Sequence, residues 1–235
     1  PNAETFTRNT QIRYTADFNE YLQMAIALEM PHFEPSYSQT TEECNQRVPD
    51  VPLYFQYSWK SGSHIRLTGL FRDLRYKDLV RNEYKDKLGW GVQLSGSSQF
   101  FSNKLTLYYQ TVIGQGVSEY IQDLSGLSVD MIPSKDVQNN LKLVPCYGWY
   151  FGVKYNFLPN LFSSVLYSQV DVDPSNKEIV YDQMYKKGQY LVANLFWDVI
   201  PSVRIGVEYL YGRLTQQSGT YGQANRVQAQ VQYNF

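Results

Sequence analysis

No run of about 18 apolar residues occurs in the 235-residue chain, so no transmembrane helix can be drawn on it. Cysteine is scarce. Cys44 and Cys146 stand alone, with no Cys-x-x-Cys spacing to suggest a metal site. They read as two unconnected thiols; a disulfide is the alternative in an oxidising compartment. Histidine is scarcer in function than in number: His32 and His64 belong to no recognisable nucleophile motif. No enzyme is therefore expected. A basic excess is also missing. Lys and Arg total 21 against 22 Asp and Glu, for a net charge of −1, which excludes the electrostatic footprint of a nucleic-acid binder. The chain opens on the polar stretch Pro1-Asn-Ala-Glu-Thr5 without a signal peptide. No cofactor motif appears, because Gly114-Gln-Gly116 is turn chemistry and not a phosphate loop.

Aromatic residues are abundant. They make up 16% of the chain, with 21 Tyr and 12 Phe, although mean hydropathy is −0.42. A polar chain this rich in tyrosine fits a wall that is apolar and aromatic outside and wet inside. Period-two stretches bounded by turn residues recur eleven times: 9–18, 20–30, 52–59, 63–76, 87–99, 103–113, 141–157, 160–172, 187–198, 202–213 and 223–235. The connections between them alternate. Short ones lie near Asn19 and at 60–63, 101–103, 158–160 and 200–202; longer ones lie at 31–51, 77–86, 114–140, 173–186 and 214–222. In an antiparallel meander every second connection lies on the same side. Sorting by length is the arrangement of outer-membrane barrels, whereas soluble sandwiches mix hairpins with crossovers. The expected fold is an all-β, antiparallel, up-and-down transmembrane β-barrel of the porin type, forming a single domain over 1–235.

The faces sort in the same sense. Tyr147, Trp149, Phe151, Val153, Tyr155 and Phe157 alternate with Cys146, Gly148, Tyr150, Gly152, Lys154 and Asn156. The last strand sets Val227, Ala229, Val231, Tyr233 and Phe235 against Arg226, Gln228, Gln230, Gln232 and Asn234. Charges on a lipid face cost about 2–4 kcal/mol at the midplane, so the polar set must face the lumen. Parity then places Arg13, Arg66, Arg72, Lys104, Lys154, Arg204 and Arg226 inward, with acidic Asp17, Glu29 and Glu208. This is a mild basic excess that favours anions in a narrow wet pore. Pairing across strands to brace the wall is the other reading of these residues. Stretch 160–172 does not sort cleanly, as a strand facing a partner subunit would not. Phe18, Trp59, Phe100, Phe101, Phe157, Trp197 and Phe235 cluster at the short turns, as an interfacial girdle does. In the connection 114–140, Val117, Tyr120, Ile121 and Leu124 recur at helical spacing. They suggest a short helix that either constricts the mouth or caps the rim.

Eleven is an odd number, and the layout puts Pro1 on the side of the long connections. The expectation is that this is the C-terminal portion of a longer barrel. Five further strands would make sixteen, the size that leaves a water-filled channel; a strand overlooked in 31–51 or 114–140 is the competing account.

Residues 109–121, "YQTVIGQGVSEYI", following "LGWGVQLSG" at 88–96, resemble the DcaP-like outer-membrane porins. "NTQIRYTADF" at 9–18 and "NRVQAQVQYNF" at 225–235 are similar to that family's central and closing strands. The resemblance implies a Gram-negative outer-membrane location, a homotrimer of sixteen-stranded barrels, and passage of dicarboxylates and similar small anions. One position departs from the pattern: Glu119 stands where the family is associated with Arg after Gly-x-Gly. Tyr233 and the terminal Phe235 resemble the signal read by the barrel assembly machinery. Lipid and lipopolysaccharide complete the expected partners. A non-conducting barrel, serving as an adhesin or docking scaffold through its long connections, is the second functional reading.

Overall fold

The computed structural model describes residues 1–59, 61–137, 139–174 and 180–235; Lys60, Gln138 and 175–179 belong to expected connections and lie outside the described residues. Fourteen strands are formed: β1 (Gln11–Asp17), β2 (Leu22–Glu29), β3 (Thr41–Glu42), β4 (Val51–Ser58), β5 (His64–Asp78), β6 (Glu83–Phe100), β7 (Leu105–Gln115), β8 (Met131–Pro133), β9 (Leu141–Leu143), β10 (Pro145–Leu158), β11 (Leu161–Val172), β12 (Tyr185–Ile200), β13 (Val203–Gln216) and β14 (Tyr221–Tyr233). Eleven of them make one antiparallel meander in the order β1-β2-β4-β5-β6-β7-β10-β11-β12-β13-β14, and these are the eleven expected stretches. Strand β3 adds to β5, and β8 with β9 forms a separate small hairpin. Neither the β1 nor the β14 outer edge is paired among the described residues.

Period two governs the wall because successive side chains leave a strand on opposite faces. On β10 the expected outer set Tyr147, Trp149, Phe151, Tyr155 and Phe157 is exposed, and Cys146, Gly148 and Gly152 are buried on the other, lumenal side. The same split runs through β2, where Ile26 and Leu28 are exposed while Ala25, Ala27 and Glu29 are buried. An exposed Leu, Ile and Phe surface of this extent would be unstable in water and suits lipid. The aromatic girdle forms at the short turns. Trp59 packs edge-on to Tyr57 at 5.0 Å, Phe157 to Tyr155 at 5.0 Å, and Phe235 stacks near Tyr233 at 6.3 Å.

Two connections differ from expectation. The stretch 77–86 narrows to the four residues 79–82, because β5 and β6 continue outward as a charged ladder. Lys85 Nζ lies 2.7 Å from Asp78 Oδ2, and Arg75 Nε 3.5 Å from Asp86 Oδ1. The stretch 214–222 narrows to 217–220 in the same way. A hairpin that rises past the apolar band is under no pressure to stay apolar, so its sequence reads as loop although its backbone stays paired. The segments 30–50, 116–144 and 173–184 remain long.

The longest connection does not form the expected helix. Only one 3-10 turn, Ser118–Tyr120, appears, and the rest of the segment lies against the lumenal face of the wall. Val117, Ile121, Leu124, Val129 and Ile132 join Leu70, Val112, Val144, Cys146 and Val170 in one buried cluster. Met131 and Leu141 of the β8–β9 hairpin pack on Leu74 and Tyr76 of β5. Residues 1–6, expected in an outer loop, also run along the inside. Ala3 N donates to Ser168 Oγ (3.1 Å), Gln110 Nε2 donates to the Ala3 carbonyl (2.7 Å), and Phe6 N donates to the Tyr120 carbonyl (3.1 Å). Both cysteines are free, Cys146 in the buried cluster and Cys44 half-buried in the 30–50 connection.

Candidate functional site

The lumenal face and the segments folded onto it make the candidate site. Its anchor is Arg72, which β5 aims inward by parity and which is 1% exposed. Its Nε donates to Asp50 Oδ2 at 2.9 Å, and its Nη1 donates to Asp130 Oδ2 at 3.2 Å and to the Gly116 carbonyl at 2.7 Å. Nη2 donates to the His32 carbonyl, and the guanidinium lies 5.2 Å from the centre of the Tyr120 ring. The Tyr120 hydroxyl sits 2.9 Å from Glu29 Oε2 and 3.0 Å from Asp50 Oδ2. Asp130 also accepts from Ser118 N (2.8 Å), Ser118 Oγ (2.7 Å) and Glu34 N (3.3 Å). One carboxylate thus ties the 30–50 connection, the 3-10 turn and the barrel wall together.

A lone buried guanidinium would be untenable; here its donors meet two carboxylates and two carbonyls, the condition for burying a charge. Burial holds the Asp50 carboxyl above its ordinary range in spite of the Arg72 charge beside it. Burial and the Asp50 charge likewise push the Tyr120 hydroxyl far above the usual phenol range, so it stays a neutral donor. Glu119, at the middle of the turn, is raised by burial and then by the Glu34 charge.

The expected lumenal residues divide into three groups. Arg72 is wholly committed to the junction above, so for it the bracing reading holds. Arg204 is close to that state: it forks onto Asp198 at 2.5 and 3.0 Å and lies 5.0 Å from the Phe162 ring. Lys104 is not on a strand; it is exposed in the turn that precedes β7. The rest lie on the strands, and some of them border open space. Arg13 and Arg66 border a cavity of about 500 Å³ together with Glu4, Glu29, Gln93 and Tyr150. Arg66 donates twice to Gln56 Oε1, at 2.9 and 2.6 Å, and lies over the Tyr54 ring at 4.3 Å. Lys154 sits 4.3 Å from the Phe162 ring centre. Glu208 accepts from Asn194 (3.2 Å) and Gln228 (2.7 Å), and Arg226 is exposed on β14 beside Leu210 of β13.

The histidines stand apart. His64 Nδ1 is 3.2 Å from Ser97 Oγ across the β5–β6 pair, a neighbour that sequence distance concealed. Among the described residues, the charged side chain acting on His64 is Arg66, a cation, where a nucleophilic triad would use an orienting carboxylate. His32 Nδ1 lies 3.0 Å from Glu119 Oε1 and 3.9 Å from Glu34 Oε1.

Comparison with known proteins gives the same architecture. A family model described as DcaP outer membrane protein matches residues 3–235. The crystal structure of the outer membrane channel DcaP of Acinetobacter baumannii superposes with a TM-score of 0.81 at 19% identity, over 97% of this chain. A porin crystal structure refined at 1.8 Å superposes at 0.57 with 10% identity, again over 97% of this chain. This chain spans 62% of the length of each of those two proteins. A search of curated proteins by sequence finds no match.

Proposed function

The chain belongs to the DcaP outer membrane protein family, and from that premise we propose that it builds the larger part of an outer-membrane channel through which small hydrophilic solutes diffuse. The observation that carries this reading is the sorting of the wall: on the long strands other than β11, apolar residues face outward, and polar and charged residues border an inner cavity. A mild preference for anions such as dicarboxylates is the finer proposal. It rests on four strand cations outside the Arg72 and Arg204 clusters: Arg13 and Arg66, which border the open cavity, and Lys154 and Arg226. Such groups replace part of a solute's hydration without holding it tightly. Of the acidic residues on the same face, Asp17 and Glu208 are held by neighbouring amide donors and Glu29 accepts from the Tyr120 hydroxyl, while Glu4 borders the cavity with Arg13 and Arg66.

Two features weigh against the adhesin or scaffold reading: the longest connection and residues 1–6 lie inside, where they cannot dock a surface partner. The remaining partners follow from the same premise. A homotrimer would set the poorly sorted β11 against a neighbouring subunit, lipopolysaccharide would meet the outer rim, and Tyr233 with Phe235 would be read by the assembly machinery. No catalytic step is assigned. Full-length protein in a planar bilayer under a salt gradient should show stepwise conductance with a reversal potential displaced toward anions. Absence of conductance overturns the channel, and displacement toward cations overturns the selectivity alone.

A further inference from the structure

We propose that the His32 imidazole and the Glu34 and Glu119 carboxylates form a binding site for a divalent transition metal of the zinc class, which clips the 30–50 connection to the Ser118–Tyr120 turn. The three donor atoms all lie within 4.8 Å of one another. His32 Nδ1 is 3.0 Å from Glu119 Oε1 and 3.9 Å from Glu34 Oε1. A tetrahedral zinc ion with bonds of about 2.0–2.1 Å sets its ligand atoms about 3.3 Å apart, so small side-chain rotations bring all three into its shell. One imidazole with two carboxylates is a donor set that zinc accepts, and calcium, which takes six or more oxygens, does not match it.

Both carboxylate ligands are also held from behind, which separates this group from a chance meeting of surface charges. The second oxygen of Glu34 accepts from Gly126 N at 2.6 Å, and the second oxygen of Glu119 accepts from Ser125 Oγ at 3.3 Å. Both carboxylates therefore present their free oxygen toward His32. The His32 carbonyl is fixed by Arg72, and Glu34 N donates to Asp130. Outer contacts of this kind orient metal ligands before the ion arrives. The Glu119 side chain is 9% exposed, so two carboxylates share a partly dry space in which a cation relieves their repulsion. A cavity of about 480 Å³, bordered by Thr7, Asn9, Gln122 and Ser125, opens on His32 and Glu119 and leaves room for a water or solute as a fourth ligand. Arg8 on the same cavity is an adverse charge, whereas that of Arg72 is already matched by Asp50 and Asp130.

The test uses full-length protein folded in detergent, stripped with a chelator and titrated calorimetrically with Zn²⁺, with Ca²⁺ as the counter-probe. One Zn²⁺ per chain is expected. Binding should weaken by more than about tenfold in His32→Ala and in Glu119→Gln, and stay unchanged in Glu83→Gln, whose carboxylate lies on the far hairpin tip. Heat-modifiable gel migration establishes that each variant is folded. If His32→Ala fails to fold, Glu34→Gln is read in its place with the same expectation. Absence of Zn²⁺ uptake, uptake of equal strength in the folded ligand variants, or Ca²⁺ binding as tight as Zn²⁺ would each overturn the site.

Discussion

The glycines under the inward segment differ from two near the last turn, Gly212 and Gly222. Under the inward segment, Gly114 and Gly116 are crowded. A Cβ on Gly114 would lie 2.4 Å from the Trp90 carbonyl and 2.8 Å from Val117 Cγ2; one on Gly116 would lie 2.6 Å from Leu143 Cδ2, at a backbone φ of +66°. Toward the last strands the picture is mixed: a Cβ on Gly206 of β13 would lie 2.3 Å from the Phe196 ring, whereas Gly212 of β13 and Gly222 of β14 have none of the described residues within 4 Å of the same position. At Gly114 and Gly116 the missing side chain lets another part of the chain approach. These two are thus placed for fit, and Gly212 and Gly222 are not, with Arg72 marking the side on which the segment is clamped.

The comparison can be broken most forcibly at Arg72. In Arg72→Met, Asp50 and Asp130 lose their buried counter-charge, which costs about 3–5 kcal/mol. The inward segment should come away from the wall. Urea unfolding of the full-length protein should show the loss, and single-channel recordings should show larger, noisier openings. Unchanged conductance would mean that the segment does not narrow the lumen.

Next come the glycines themselves. Gly114→Ala should destabilise by about 1–3 kcal/mol through overpacking against backbone, and Gly212→Ala should stay within about 0.5 kcal/mol of wild type. Equal costs in the same unfolding assay would erase the distinction between fit and clearance. A smaller effect is expected from Lys154→Glu. Its two-charge change, felt at about 10 Å in water, is about 0.8 kcal/mol before screening. Salt near 0.1 M removes roughly two thirds of that over such a distance. Anion and cation feel the remainder with opposite signs, so the anion-to-cation permeability ratio should fall by less than about threefold, with folding stability unaltered.

The smallest effect is a pH dependence, which Asp50→Asn removes whatever that variant costs at neutral pH. Burial raises the Asp50 carboxyl in the folded protein, so the folded state favours the protonated form. The stability linked to it is fully present below the ordinary aspartate value and is lost as pH rises through the raised one. Wild type should gain a little stability on acidification from neutral pH toward the ordinary carboxylate range. The Asn variant, measured by the same unfolding curves, should lack that gain.

The wall was legible in the sequence, since a two-residue period leaves little choice about which side chains meet lipid. All eleven long strands appear where the alternation put them, and their ends drift where charge takes over from apolarity, as at Lys77 and Lys85. Arg66 and Lys154 lie on β5 and β10, within the strands that the alternation marked. What parity could not tell was occupancy. Arg72 looks like Arg66 in the pattern, yet its partners Asp50 and Asp130 come from connections 22 and 58 residues away. Residues 1–6 carry no pattern at all; backbone bonds to Tyr120, Gln110 and Ser168 hold them in place. The proximity of His32 and Glu34 was visible as a spacing of two, whereas Glu119 joins them only through the fold.

The inward lie of the longest connection also decides what the molecule displays. At the end of the wall opposite the aromatic girdle, the tips that stand clear include the turn at 79–82, where Leu79 and Val80 are exposed, while most apolar side chains of 116–144, Leu127 and Val137 excepted, are tucked out of sight. An antibody, protease or phage that approaches from that end meets hairpin tips first. The residues that set the bore can therefore be kept constant while the visible tips are free to vary.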